Sequence, residues 1–273
     1  MHRILFHIGP IYVYSYGVML ALAFAAGTYL AVVRAKREGI AYTKVIDLIF
    51  YVLIASLVGA RLMFVLLNAG YYLAHPFEIF KIWEGGLVFY GGFLSGFVMS
   101  LWFLRKNTLN VWQVADILAP SLALGTAIGR IGCFLNGCCY GKISYAWGMR
   151  FPSSGEPPVY AQQLFDGLIP YAAACSLPVL PTQLYEAFAY FALFIFLLWI
   201  DRHKKRQGVL FWNFVFLYSV ARFIIESFRY YETNFIVFGF LTVSQLISMA
   251  LALVALVSLV RIATQPSSRA PKK

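Results

Sequence analysis

An apolar run near the middle of the chain breaks into glycines, one arginine and three cysteines, SLALGTAIGRIGCFLNGCCYGKISYAWGMRFP over residues 121–152. Arg130 stands among Gly125, Gly129, Gly132, Gly137 and Gly141. A guanidinium in lipid is costly unless an anion meets it. Glycines let a backbone come close to a ligand or another helix, or turn with positive φ where a helix unwinds. A membrane helix is therefore expected to end here, inside a site. Further along, FLYSVARFIIESF carries Tyr218, Arg222 and Glu226 on one stripe of a helix, with Arg229 a turn later. That stripe has two readings: Arg222 and Glu226 satisfy each other as an ion pair, or one arginine stays available to an anion. Arg130 and Arg222, on separate helices, would offer two planar forks to a single phosphate. Arg61, in ASLVGARLMFVLL, is a further arginine inside an apolar stretch.

The thiols also have more than one reading. Cys133, Cys138 and Cys139 adjoin Arg130, and Cys175 follows in the sequence. No CxxC pair is present and histidine or carboxylate partners are missing at ligand spacing, so neither a metal centre nor a disulfide framework is expected. Buried free cysteines behave as small apolar side chains. An oxidised pair is the alternative on an oxidising side of a membrane, with Cys175 as a candidate partner. No Gly-x-Gly-x-x-Gly follows a strand and no paired histidines lie at helical spacing, so no nucleotide, flavin, haem or other cofactor is expected.

The elements that must hold these groups are membrane helices. Of 273 residues, 61% are apolar and 12% charged, against about a quarter charged in soluble domains. Seven apolar runs reach spanning length, over about residues 11–33, 45–67, 86–104, 113–131, 182–200, 208–226 and 236–261. Their continuous pattern selects helix over barrel. The first is too long for the apolar core of a signal peptide and RAKR follows it, so it is expected to stay uncleaved. The predicted fold is an all-α polytopic membrane protein with about seven transmembrane helices. A single integral-membrane domain is expected over residues 1–265, followed by a disordered cytoplasmic tail over 266–273.

Fourteen of the 22 Lys and Arg residues follow the first, third, fifth and seventh runs. Six (Arg3, Lys81, Arg130, Lys142, Arg150 and Arg229) lie on the opposite side. The positive-inside rule then places the N-terminus outside and the C-terminus in the cytoplasm, and makes residues 131–181 extracytoplasmic. Prolines at 152, 157, 158, 170, 178 and 181 rule out one continuous helix there. Its aromatic content, including Tyr145, Trp147, Phe151 and Phe165, predicts a folded cap between helices four and five. A net charge of +11 would suggest nucleic acid only if it formed a basic face or groove. The bases fall instead in short clusters suited to anionic headgroups, so no nucleic-acid partner is expected. No internal repeat suggests a transporter built from two related halves.

GRIGCFLNGCCYG resembles the signature of bacterial prolipoprotein diacylglyceryl transferases, Gly-Arg-x-Gly-Asn-Phe-x-Asn-x-Glu-x-x-Gly. The glycines, Arg130, Phe134 and Asn136 match, while Cys133 stands for asparagine and Cys138 for glutamate. Tyr14-Ser15-Tyr16-Gly17, Gly59-Ala60-Arg61 and Pro181-Thr182-Gln183-Leu184-Tyr185-Glu186 resemble further family motifs, in the family's order. So does Leu241-Thr242-Val243-Ser244-Gln245, with Ser244 for glycine. The stretch from Trp83 to Phe93 resembles a glycine-rich motif whose histidine is replaced by Tyr90 and whose leucine is replaced by Phe93.

The resemblance implies transfer of the diacylglyceryl group of phosphatidylglycerol to the lipobox cysteine thiol of a preprolipoprotein. A thioether forms and glycerol phosphate leaves, as the first step of lipoprotein maturation in the bacterial cytoplasmic (inner) membrane. Displacement at an sp3 carbon needs a thiolate and fixed positive charge where the phosphate departs. Arg130 and Arg222 are expected to take the lipid phosphate, with Asn136 and Tyr218 as neutral donors and Tyr90 in the catalytic set. Tyr16, Gly91, Gly92, Glu226 and Arg61 are expected to join Arg130 and Asn136 at the substrate. A tyrosine ordinarily gives up its proton only near pH ~10, so Tyr90 suits substrate orientation rather than base catalysis. His75 is another candidate base, or simply a solvated residue. The implied partners are phosphatidylglycerol, lipobox peptides and membrane lipid. The departures leave two alternatives, a lipid-binding protein or transporter of the same fold without the chemistry, and a transferase with another acceptor or lipid.

Overall fold

The computed structural model describes residues 3–9, 11–204, 206–230, 236–237 and 241–264; the tail expected over 266–273 lies outside them. Nine helices are described: α1 (Ser15–Arg37), α2 (Tyr42–Leu67), α3 (Ala69–Ala74), α4 (Phe89–Lys106), α5 (Val111–Asn136), α6 (Pro158–Phe165), α7 (Thr182–His203), α8 (Val209–Glu226) and α9 (Val243–Thr264). Two 3-10 turns, Pro76–Phe80 and Ile82–Glu84, join α3 to α4. Two antiparallel hairpins pair β1 (Ile4–Ile8) with β2 (Ile11–Tyr14), and β3 (Ile236–Val237) with β4 (Leu241–Thr242). The chain is an all-α polytopic membrane protein: among the described residues six helices, α1, α2, α5, α7, α8 and α9, are long and apolar enough to cross a membrane. The third predicted span corresponds to α4, which has 18 residues, closes on Arg105 and Lys106 and is not among those six.

Three boundaries correct the sequence reading. The first span begins at Ser15, because Ile11–Tyr14 pairs as a strand, as its β-branched and aromatic residues favour. The last begins at Val243 rather than 236, and its start is a capping box. Thr242 Oγ1 accepts from the Gln245 N–H at 3.2 Å and Gln245 Oε1 accepts from the Thr242 N–H at 3.0 Å. The fourth predicted span continues to Asn136, past its expected end at 131, because Gly125, Gly129 and Gly132 are helical and Gly137, at φ 75°, makes the turn. Inside α5, Pro120 has no N–H to give the Asp116 carbonyl. Arg34 serves that end of the helix, donating from Nη2 to Asp116 O at 3.2 Å and from Nε to Ile117 O at 3.1 Å.

Packing divides the chain into two compact units, Met1–Leu30 with Leu118–Lys273, and Ala31–Ile117. In the second, α2 and α4 meet through small residues. A methyl at Gly91 would strike the Gly59 carbonyl and Met63 Cβ, so the two helices approach as closely as glycine allows. In the first, Ala119 and Ala123 of α5, Leu193 and Leu197 of α7 and Leu210 of α8 form a shared apolar core. Residues 137–181 fold around buried Phe151, Val159 and Val179, packed on Phe134 and Tyr140. Isolated bridges from Ile143 and Met149 to Val179, and from Pro152 to Cys175, complete that segment.

Candidate active site

Charges gather around Glu186, in the first turns of α7. Its Oε2 forms an ion pair with Arg130 Nε at 2.8 Å and its Oε1 accepts from Arg222 Nη1 at 2.5 Å. Arg222 Nη2 pairs with Glu226 Oε2 at 2.8 Å, and Arg229 Nη1 lies 3.8 Å from the same oxygen. Ser244 Oγ accepts from Arg222 Nε at 3.2 Å, and Thr242 Oγ1 donates to Glu226 Oε1 at 3.1 Å. The ion-pair reading of the α8 stripe holds: Arg222 pairs with Glu226, and it is tied through Glu186 to Arg130.

Among the described residues, three guanidiniums (Arg130, Arg222 and Arg229) face the carboxylates of Glu186 and Glu226. The carboxylates are sealed, Glu186 at 1% and Glu226 at 2% exposure. The side chains of Arg130 and Arg222 keep 18% and 14% of their surface. A buried carboxylate thus braces two partly open guanidiniums, and holds their forks in place. Beside it Tyr190, fully buried, stacks on Tyr218 with ring centroids 4.8 Å apart. The Tyr190 hydroxyl has no hydrogen-bond partner among the described residues. The ring of Tyr218 packs against the α5–α7–α8 core. A cavity of about 400 Å³ lined by Trp199, His203 and Ile262 lies at the other end of α7, away from these charges.

The cysteines come together through the turn that ends α5. The Gly137 N–H bonds to Phe134 O at 3.1 Å and the Cys138 N–H to Cys133 O at 3.2 Å. This is a Schellman ending with Gly137 at its left-handed position, a geometry that turns the residue after the glycine back onto the one five before it. Buried Gln183 and Thr182 at the start of α7 fix the turn: Gln183 Nε2 donates to Cys138 O at 2.7 Å and Thr182 Oγ1 to Cys139 O at 2.9 Å. The sulfurs of Cys133, Cys138 and Cys139 all lie within 4.8 Å of one another, each partly exposed. All four cysteines are free thiols. The Cys139 thiol is pulled below its ordinary range by the neighbouring Cys133 and Cys138 thiols and by the Arg229 and Arg130 guanidiniums, while Cys138 Sγ donates to Cys133 O at 3.7 Å. Asn136, the last residue of α5, hydrogen-bonds Cys138. Tyr16, near the start of α1, faces Arg130 and the thiols.

The remaining predicted residues belong to the other unit. Arg61 is buried and gives its donors to backbone carbonyls, Nε to Ile79 O (2.8 Å), Nη1 to Gly85 O (2.8 Å) and Gly86 O (3.2 Å), and Nη2 to Glu78 O (2.7 Å). It pins the connection between α3 and α4. Gly91 and Gly92 are buried in the α2–α4 contact, and Tyr90 is 60% exposed beside Phe89. His75 stacks on Tyr71, exposed. Sequence reasoning missed Glu186 as a site residue. Its signal was its place in the Pro-Thr-Gln-Leu-Tyr-Glu stretch that opens α7.

The family sequence profile described as prolipoprotein diacylglyceryl transferase matches residues 3–261. A phosphatidylglycerol–prolipoprotein diacylglyceryl transferase of Geobacter sulfurreducens is 32% identical over 258 residues, covering 93% of this chain and 92% of its own. The protein of that name from Psychrobacter arcticus is 36% identical over 93% of this chain and 90% of its own. The one from Geobacillus kaustophilus is 33% identical over 94% and 90%. The profile spans the Arg130–Glu186–Arg222 cluster and the thiols beside it, and the chain belongs to the prolipoprotein diacylglyceryl transferase family.

Proposed function

We propose that this chain transfers the diacylglyceryl group of phosphatidylglycerol to the lipobox cysteine thiol of a preprolipoprotein, forming a thioether and releasing glycerol phosphate. The observation that carries this is the pair of partly open guanidiniums, Arg130 and Arg222, braced by one buried carboxylate at 2.8 and 2.5 Å. The acceptor thiolate attacks the glyceryl carbon bonded to the phosphate oxygen. As the carbon–oxygen bond breaks its electron pair moves onto the phosphate, where positioned cations stabilise the growing charge without rearranging.

In this mechanism Arg130 and Arg222 touch the phosphate, with Asn136 and Tyr218 as neutral donors and Tyr16 along the substrate path. Glu226 and Glu186 act as positioning residues, because their oxygens are occupied by arginines. Within the unit Ala31–Ile117, exposed Tyr90 is the group offered for orienting substrate, while buried Gly91, Gly92 and Arg61 position its segment. The Lys and Arg distribution favours the bacterial cytoplasmic membrane with the N-terminus outside, which puts the folded 137–181 segment on the outer side as a cap. The test is transfer from labelled phosphatidylglycerol to a lipobox peptide by the purified protein in vesicles. Thioether-linked product with release of glycerol phosphate is expected. Lipid binding without product would favour the lipid-binding or transport alternative.

A further inference from the structure

We propose that Cys133, Cys138 and Cys139 form a three-thiolate site for a thiophilic divalent cation, zinc being the representative, and that its open fourth position receives the sulfur of the acceptor cysteine. Three sulfurs within 4.8 Å of one another suit a tetrahedral or trigonal thiolate set with metal–sulfur distances of about 2.3 Å. An all-sulfur set selects soft, thiophilic ions over magnesium or calcium. Three protein ligands with one vacancy is the pattern of a catalytic zinc site rather than a closed structural one. The cluster is also built: the turn is a Schellman ending, its carbonyls are held by two fully buried side chains of α7, and Cys139 adopts φ 61°. A left-handed non-glycine residue costs about 1–2 kcal/mol, and such strain is found where a site requires the geometry. Charge agrees as well. Zinc with three thiolates has net charge −1, and the guanidiniums of Arg130 and Arg229, though paired with Glu186 and Glu226, are the cations nearest the sulfurs.

The assignment gives the departures at 133 and 138 a role, and it rests on the transferase reading only for the identity of the incoming thiol. Thiol alkylation needs a thiolate. A divalent cation does the work of a base, since a coordinated thiol is held as its thiolate. The acceptor S–H loses its proton to water on binding. The metal-held sulfur pair then forms the bond to the glyceryl carbon, and the departing electron pair leaves with the phosphate at Arg130 and Arg222. No electron is gained or lost overall.

The test uses the full-length protein in detergent micelles, reduced, stripped with a chelator and titrated with cobalt(II) as a spectroscopic stand-in for zinc. One equivalent should bind per chain with a thiolate-to-cobalt charge-transfer band. The band should be lost in Cys133→Ser, Cys138→Ser and Cys139→Ser and kept in Cys175→Ser. A lipobox peptide should then change the cobalt visible bands, whereas its serine analogue should not. Transfer should fall on chelation and return with zinc. Absence of the band in the unsubstituted protein overturns the site with no variant involved, and so does its survival in Cys139→Ser. A cobalt spectrum indifferent to the peptide thiol overturns the open-position assignment. Because the spectra do not depend on turnover, failure of the transferase reading would show separately, as absent product with the metal bound.

Discussion

Replacing Glu186 by glutamine keeps the shape of the side chain and removes the charge that ties Arg130 to Arg222. The amide oxygen can accept from only one guanidinium, and the NH2 group then faces the donors of the other. The loss is therefore one charge-assisted hydrogen bond, worth about 1.5–3 kcal/mol, plus a guanidinium without its counter-ion. Breaking a fully buried pair costs about 3–5 kcal/mol. Here the arginine side chains retain 18% and 14% of their surface and Arg222 keeps Glu226, so a destabilisation of about 2–4 kcal/mol is expected. The electrostatic effect on the reaction should be comparable to losing one positioned donor, about 10²–10³ in transfer rate. Thermal unfolding in detergent and transfer to a lipobox peptide should be measured on Glu186→Gln, Arg130→Ala and the double variant. The two changes should be strongly non-additive because the groups are in contact. An unaltered melting temperature with transfer within about threefold of the parent, less than 1 kcal/mol in barrier, would refute the bracing role of Glu186.

Three further outcomes follow from the second unit. Gly91→Val should disrupt the α2–α4 contact, since even a methyl meets the Gly59 carbonyl; overpacking of this kind costs about 1–3 kcal/mol or more, readable as a lowered melting temperature. Arg61→Lys should not restore what Arg61→Ala loses, because one ammonium cannot reach carbonyls at Glu78, Ile79, Gly85 and Gly86 together; limited proteolysis between residues 75 and 88 should accelerate in both. Tyr90→Phe should lower transfer by no more than about tenfold, one neutral hydrogen bond's worth, and leave its pH dependence unmoved. A larger loss with an altered pH profile would restore Tyr90 to proton transfer.

Much of the cluster was legible in the sequence. Arg222 and Glu226 share a helix face by spacing alone, and an arginine among glycines in an apolar run already asked for an anion. Glu186 was not legible as that anion, because a carboxylate in the first turns of a helix reads as ordinary there, and its pairing with Arg130 and Arg222 is a tertiary event. The thiols show the same limit. The spacing Cys-x-x-x-Gly-Cys-Cys matches no metal-ligand motif, yet the glycine ending reverses the chain by the distance that returns Cys138 to Cys133. The helix boundaries failed where local signals beat hydropathy: the strand at Ile11–Tyr14, the capping box at Thr242, and the continuous helix through Gly132.

The direct test of the central claim is transfer by Arg130→Ala, purified in folded, membrane-inserted form and compared with Arg130→Lys. Arg130→Ala should lose transfer while its helical content and insertion are kept, and Arg130→Lys should recover only part, because an ammonium cannot supply the same fork. Undiminished transfer by well-inserted Arg130→Ala would contradict that claim.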